Sequence, residues 1–143
     1  MIKPASLRAA ITAAVPDLVA NPDKFLVFAD AGAIVANGIP SLSFEYRYTL
    51  NLILTDFAGD PDLVMIALLV WVHRHQPELV NNPDKRSTAI TFEVDQLTND
   101  TFDLSIKLPL SEGVSVSIAP DGRPIAEHLP EPIPEWETTG LGG

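Results

Sequence analysis

The sequence predicts an α+β domain. It has a mainly antiparallel sheet with one long strand, packed against two helices and followed by an extended C-terminal arm. Three observations carry this prediction. In residues 44–57, FEYRYTLNLILTDF, the side chains Phe44, Tyr46, Tyr48, Leu50, Leu52 and Leu54 share one parity. Glu45, Arg47, Thr49, Asn51 and Thr55 share the other, with Ile53 the one strong apolar exception. Side chains alternate across a strand, so this stretch is a half-buried strand about 45 Å long. Second, ITFEVDQL (90–97) and FDLSIKLPL (102–110) also alternate, and Thr98 to Thr101 join them as a hairpin. Third, ASLRAAITAAV (5–15) and LVMIALLVWVHRH (63–75) read as helices.

The elements follow in chain order. In 5–15, Leu7, Ile11 and Val15 are four apart and form one apolar stripe, which Pro16 ends. Asn21-Pro22-Asp23 is a turn. FLVFAD (25–30) and AIVAN (33–37) are two short apolar runs separated by Ala31-Gly32, and Asn37-Gly38 is a tight-turn signal. A meander or hairpin leading into the long strand is expected. After that strand, Asp60 caps a helix that starts at Pro61 and runs to about His75, before Pro77. Asn81-Asn82-Pro83-Asp84 is a loop, and VSVSI (114–118) is a last short strand.

From residue 120 the composition shifts. Residues 120–143 hold five of the 13 prolines and four of the eight glycines. Asp121, Glu127, Glu131, Glu135 and Glu137 against Arg123 give a local charge of −4. Too few apolar anchors are present for this stretch to fold alone, so two parts are expected: a domain over 1–119 and a proline-rich acidic arm over 120–143.

Composition narrows the function classes. A length of 143 residues suits one domain with its own core. The absence of cysteine leaves no disulfide framework and no zinc–thiolate site. The longest fully apolar run, Leu63 to Val72, has ten residues, about half a membrane span, and the N-terminus carries no signal-peptide core. A soluble intracellular protein with no membrane partner is expected. The net charge of −10, with nine scattered Lys and Arg, argues against binding nucleic acid through phosphates. Protein partners are expected instead.

No residue pattern points to catalysis, and no cofactor is expected. His73 and His75 sit about 200° apart around a helix and cannot grip one metal from a single face. Near a helix C-terminus they suit the dipole. Asp95, Asp100 and Asp103 flank a turn, where Asp is ordinary turn chemistry. Gly32 and Gly38 read as turn residues, and no phosphate-loop motif occurs. The serines lack a nucleophile-elbow context.

Assembly is the stronger signal. Residues 63–72 are apolar on every side, whereas a helix on a monomer surface needs a polar face. One side can pack on the sheet. The other needs helix 5–15 or a neighbouring subunit, and both remain open. The overlong strand adds weight to the neighbour. Interface candidates are Glu45 and Arg47 on the long strand, Leu69, Trp71 and His75 on the second helix, and Trp136 in the arm. On this reading Leu69→Asp buries an unpaired charge and prevents folding, while Trp71→Ala keeps the fold and loses assembly. Trp136 anchors the arm on a neighbouring subunit or a partner protein.

Residues 42–84, LSFEYRYTLNLILTDFAGDPDLVMIALLVWVHRHQPELVNNPD, carry a resemblance. The strand SFEYRYTLNL, the turn TDFAGDPD into the helix, and the exit Trp71, His75-Gln76-Pro77-Glu78-Leu79 resemble the tail completion protein R (GpR) family of contractile-tailed temperate phages. The hairpin over 90–110 fits the same pattern, and the match spans roughly residues 5–118. The resemblance implies a virion structural protein at the head-proximal end of the tail, made in the host cytoplasm, which stops tail growth and prepares head joining. It implies a ring, expected to be a hexamer, that contacts tail tube and sheath proteins and a head–tail connector or second completion protein. The reading from another class is a host-encoded adaptor or chaperone-like binding module with its groove over the long strand.

Overall fold

A computed structural model describes residues 1–129 of the chain. It is an α+β fold. The N-terminal helices α1 (Lys3–Ala14) and α2 (Pro16–Ala20) and a single 3-10 turn (Pro22–Lys24) lead into strand β1 (Phe25–Ala36). Strand β2 (Phe44–Phe57), helices α3 (Pro61–His75) and α4 (Glu78–Asn81), and strands β3 (Thr91–Gln96), β4 (Phe102–Ile118) and β5 (Pro124–His128) follow. The sheet order is β1-β2-β4-β3, with β5 also on β4, and every pairing is antiparallel.

The parity read from the sequence sets the core. Tyr48, Leu50, Leu52 and Leu54 of β2 lie beside Leu110, Leu108, Ile106 and Leu104 of β4, and all eight are buried on the helix side. Leu7 and Ile11 of α1, Val15 after it, and Val64, Leu68 and Val72 of α3 close over them. Asp60 caps α3 as expected: its Oδ1 accepts the Asp62 N–H at 2.9 Å, and Pro61 fills the first helical position. The approach is tight. A Cβ on Gly59 would fall 2.5 Å from the buried Phe57 ring, so only glycine fits there.

Three expectations about the strands are corrected. Ala31-Gly32 is not a turn between two short runs but a bulge inside one 12-residue strand, with Ala31 at φ 51°. Residues 102–110 and 114–118 are not separate strands. Ser111, Glu112 and Gly113 continue β4 to 17 residues, because the 14-residue β2 pairs with it from Phe57 to Phe44. The stretch after 120 is not all extended arm, since Pro124–His128 add β5 to β4, with Val114 opposite His128. Two helical additions also went unread. Pro16 ends α1 but starts α2, and Pro77 ends α3 but precedes α4.

Between the stretches of β4 paired with β3 (up to Lys107) and with β5 (from Val114), side chains take the place of a strand. Gln76 Oε1 accepts the Ser111 N–H at 3.2 Å, and Lys3 Nζ donates to the Ser111 carbonyl at 2.7 Å. The residue just after α3 and the first residue of α1 therefore fill the edge of the longest strand. That position fixes where both helices sit on the sheet.

Candidate binding surface

Helix α3 buries one stripe only. Val64, Leu68, Trp71 and Val72 face the sheet and α1, at the spacing of one helical face. Leu63, Ile66, Leu69 and Val70 face outward, with Ile66 and Val70 58% and 60% exposed. Helix α1 covers the flank at Trp71, whose indole N–H donates to Ser6 Oγ at 3.0 Å. Both covers left open by the sequence are thus relevant: α1 takes one side of α3, and the other side has none among the described residues.

On the far side of α3 the sheet continues beyond the helix. Phe92 and Val94 of β3 pair with Ile106 and Leu104, so they lie on the helix-bearing face. The helices stop short of them, and Phe92 is 61% exposed. A groove of about 590 Å³ results, floored by Met65, Leu68, Leu69, Phe92 and Val94, with Asp62 and Arg86 on its rim. Strand β3 pairs only with β4 and β1 only with β2, so among the described residues both edges of the sheet are open. An uncovered apolar shelf beside an open sheet edge is the kind of surface that protein partners cover.

A polar cluster inside the fold escaped the sequence reading. Glu112 lies on the inward parity of β4 and is buried. Its Oε1 accepts the Ile2 N–H at 2.7 Å and the Lys3 N–H at 3.4 Å, which neutralises the start of α1. Its Oε2 accepts the Tyr48 hydroxyl at 2.6 Å. Burial, then the hydrogen bond and the negative charge of Glu112, push the Tyr48 hydroxyl far above its ordinary range. Lys3 Nζ donates at 2.7 Å each to the His75 carbonyl, Gln76 Oε1 and the Ser111 carbonyl. His128 of β5 brings Nδ1 to 3.7 Å from Glu112 Oε1. These groups join α1, α3, β4 and β5 at one end of the molecule. The signal was present as an acid in phase with Leu104 to Leu110, but it vanished once β4 was divided at 111–113.

The candidate residues fall in different places. Glu45 and Arg47 pair with each other at 3.0 Å and are solvent-facing, so their pair is worth under about 1 kcal/mol. They line a cavity of about 650 Å³ with Glu78, Asp84 and Lys85. Leu69 is 42% exposed on the apolar shelf, not in the core as the Leu69→Asp expectation required. Trp71 is 4% exposed beneath α1, so it does not face outward. His75 stacks on the Trp71 ring at 4.8 Å. Trp136 lies outside the described residues. Asp103 accepts the Asp56 N–H at 2.9 Å, holding the bulge that ends β2 rather than a proton-transfer pair. Among the described residues no cluster of three or more His, Asp or Glu is placed to hold a metal ion. No helix there is long and apolar enough to cross a membrane.

No solved structure matches the chain. It is 42% identical over 139 residues to "Tail completion protein R" of Escherichia phage P2, covering 97% of this chain and 89% of that protein. The sequence profile described as "P2 phage tail completion protein R (GpR)" matches residues 1–132, a span that includes β5 as well as the strand–turn–helix core. The chain belongs to the P2 phage tail completion protein R family.

Proposed function

We propose that this chain is a structural protein of a contractile phage tail that completes the tail at its head-proximal end. It acts by binding, not by catalysis. Its partners are other tail components: copies of itself, the tail tube and sheath proteins, and a connector or second completion protein on the head side. The virion tail is its final location, reached from the host cytoplasm during assembly. Copies close into a ring, a hexamer, in which one patch meets a different patch on the next subunit.

The observation that supports this reading is the apolar shelf of Leu69, Phe92 and Val94 beside the open edge of β3, in a chain of this family. On a free monomer such a surface has no use, whereas a head-to-tail ring covers it in every subunit. Light scattering after gel filtration, alone and with tails lacking this protein, is the test, together with micrographs of the tail ends. The expected result is a ring in solution or on the tail end, lost in Phe92→Glu with the fold kept. A strict monomer in both settings, with tails completed normally by Phe92→Glu, overturns it.

A further inference from the structure

The two edges of the sheet are complementary. Among the described residues β1 pairs only with β2 and β3 only with β4. Residues stand level across these four strands: Leu26, Ile53, Ser105 and Glu93 form one row, and Val27, Leu52, Ile106 and Phe92 the next. We propose that β1 of one copy adds to β3 of the next as an antiparallel strand, in this same register. Leu26 then lies opposite Glu93, Val27 opposite Phe92 and Phe25 opposite Val94. This contact presupposes the ring proposed above and supplies its two unlike patches.

Topology allows the join without turning a copy over. β1 runs antiparallel to β2, β2 to β4 and β4 to β3, so β3 runs antiparallel to β1. Because β1-β2-β4-β3 is an even number of strands, direction and the alternation of hydrogen-bonded pairs both carry on into the next copy. Copies are then related by rotation about an axis along the strands, and level rows give no rise from one to the next. A head-to-tail contact without rise closes into a ring instead of a filament. The pairing ends at Phe28 opposite Thr91, before the bulge at Ala31. At its other end the Phe25 carbonyl accepts from Arg8 Nη1 at 2.7 Å and keeps a second lone pair for the strand.

Faces and charges agree. Val27 pairs with Leu52 and Phe92 with Ile106, both on the helix side, so the core of one copy runs into the apolar shelf of the next. A slip of one residue would set Val27 and Phe92 on opposite faces. Lys24, just before β1, comes opposite Asp95, a favourable cross-strand pair. Arg8, 5.1 Å over the Phe25 ring, comes toward Asp62 on the rim of the shelf. Among the described residues none of these four charged groups has an ion-pair partner within its own chain. An acidic edge strand carrying Glu93 and Asp95 therefore meets the basic start of β1.

The chain has no cysteine, so introduced ones report proximity directly. Full-length copies carrying only Leu26→Cys are mixed with copies carrying only Glu93→Cys; both positions are exposed, so the fold survives the changes. Under mild oxidation, in solution and on tail ends, this mixture is expected to cross-link about tenfold or more faster than Leu26→Cys with Val94→Cys, whose side chains lie on opposite faces. Lys24→Glu in the Leu26→Cys copies should slow the reaction, and Asp95→Lys in the Glu93→Cys copies should restore it. Equal rates for the two mixtures overturn the strand contact; if rings still cap the tails, the ring reading survives that result. Either variant cross-linking with itself as fast as in the mixture overturns the contact in favour of a two-fold dimer. Strict monomers without cross-links, in solution and with tails, overturn both readings.

Discussion

At the scale of single residues, the stability of this fold depends on a few buried polar groups at one end of the sheet. Glu112 caps α1 and binds the Tyr48 hydroxyl, so Glu112→Ala leaves two N–H groups and a hydroxyl unpaired. A loss of about 3 kcal/mol is expected, read as a lower urea midpoint with an unchanged slope. Tyr48 gives a pH signature with a definite sign. Its folded pKa is raised above the ordinary value of 10.0, so the protonated hydroxyl is favoured by the native state. The stability this provides is complete below pH 10 and falls as pH rises beyond it, where the unfolded chain ionises first. Tyr48→Phe is expected to lose stability at neutral pH yet decline less steeply above pH 10. Denaturant melts of both proteins across that range measure the difference.

At the scale of elements, α3 shows how periodicity and packing divide the work. Its cap and its end were legible because Asp60-Pro61 and Pro77 act locally, through backbone groups within one turn. Which side it buries was not legible, since Leu63 to Val72 offers apolar side chains in every direction. The two substitutions therefore exchange their expected effects. Trp71→Ala opens a cavity under α1 and removes the hydrogen bond to Ser6, for a loss of about 3–5 kcal/mol. Leu69→Asp places its charge at the solvent-facing shelf, so circular dichroism and melting temperature should stay near those of the parent while self-association falls. Equal destabilisation in both would show that the shelf is internal. Strand β4 was misread for a related reason. Ser111-Glu112-Gly113 looks like a break, yet the strand runs straight through it, paired with Arg47, Tyr46 and Glu45 of β2.

At the scale of the whole molecule, the boundary of the folded body is set by β5. Ending the chain after Ala119 removes the partner of Val114 to Ile118 and the seat of His128 beside Glu112. Ending it after Leu129 keeps both. The shorter chain is expected to be less stable than full length and the longer one nearly equal to it, measured by hydrogen exchange of the β4 amides. Similar protection in both would mean that β5 adds nothing to the body. In tail completion the comparison has a second use. If the chain ending at Leu129 finishes tails as well as full length does, the segment after it has no part in docking to the tail.

The sequence by itself determined the α+β class, the long strand with its inward parity, the β3–β4 hairpin, the cap and end of α3, and the family. Each of these rests on interactions between residues near in sequence, or on a pattern that needs no partner to be recognised. The tertiary structure alone decided that α1 covers Trp71 and leaves Leu69 outside. It also decided that β4 runs unbroken past Gly113, and that Lys3, Gln76 and Glu112 meet although they are far apart in the chain. Those outcomes depend on contacts between residues distant in the chain, such as Lys3 with Gln76 and Ile2 with Glu112, which no local pattern encodes. A 14-residue strand holds its partner in register through Ser111 to Gly113, and β5 carries that partner on to Ile118, where local propensity would have stopped it.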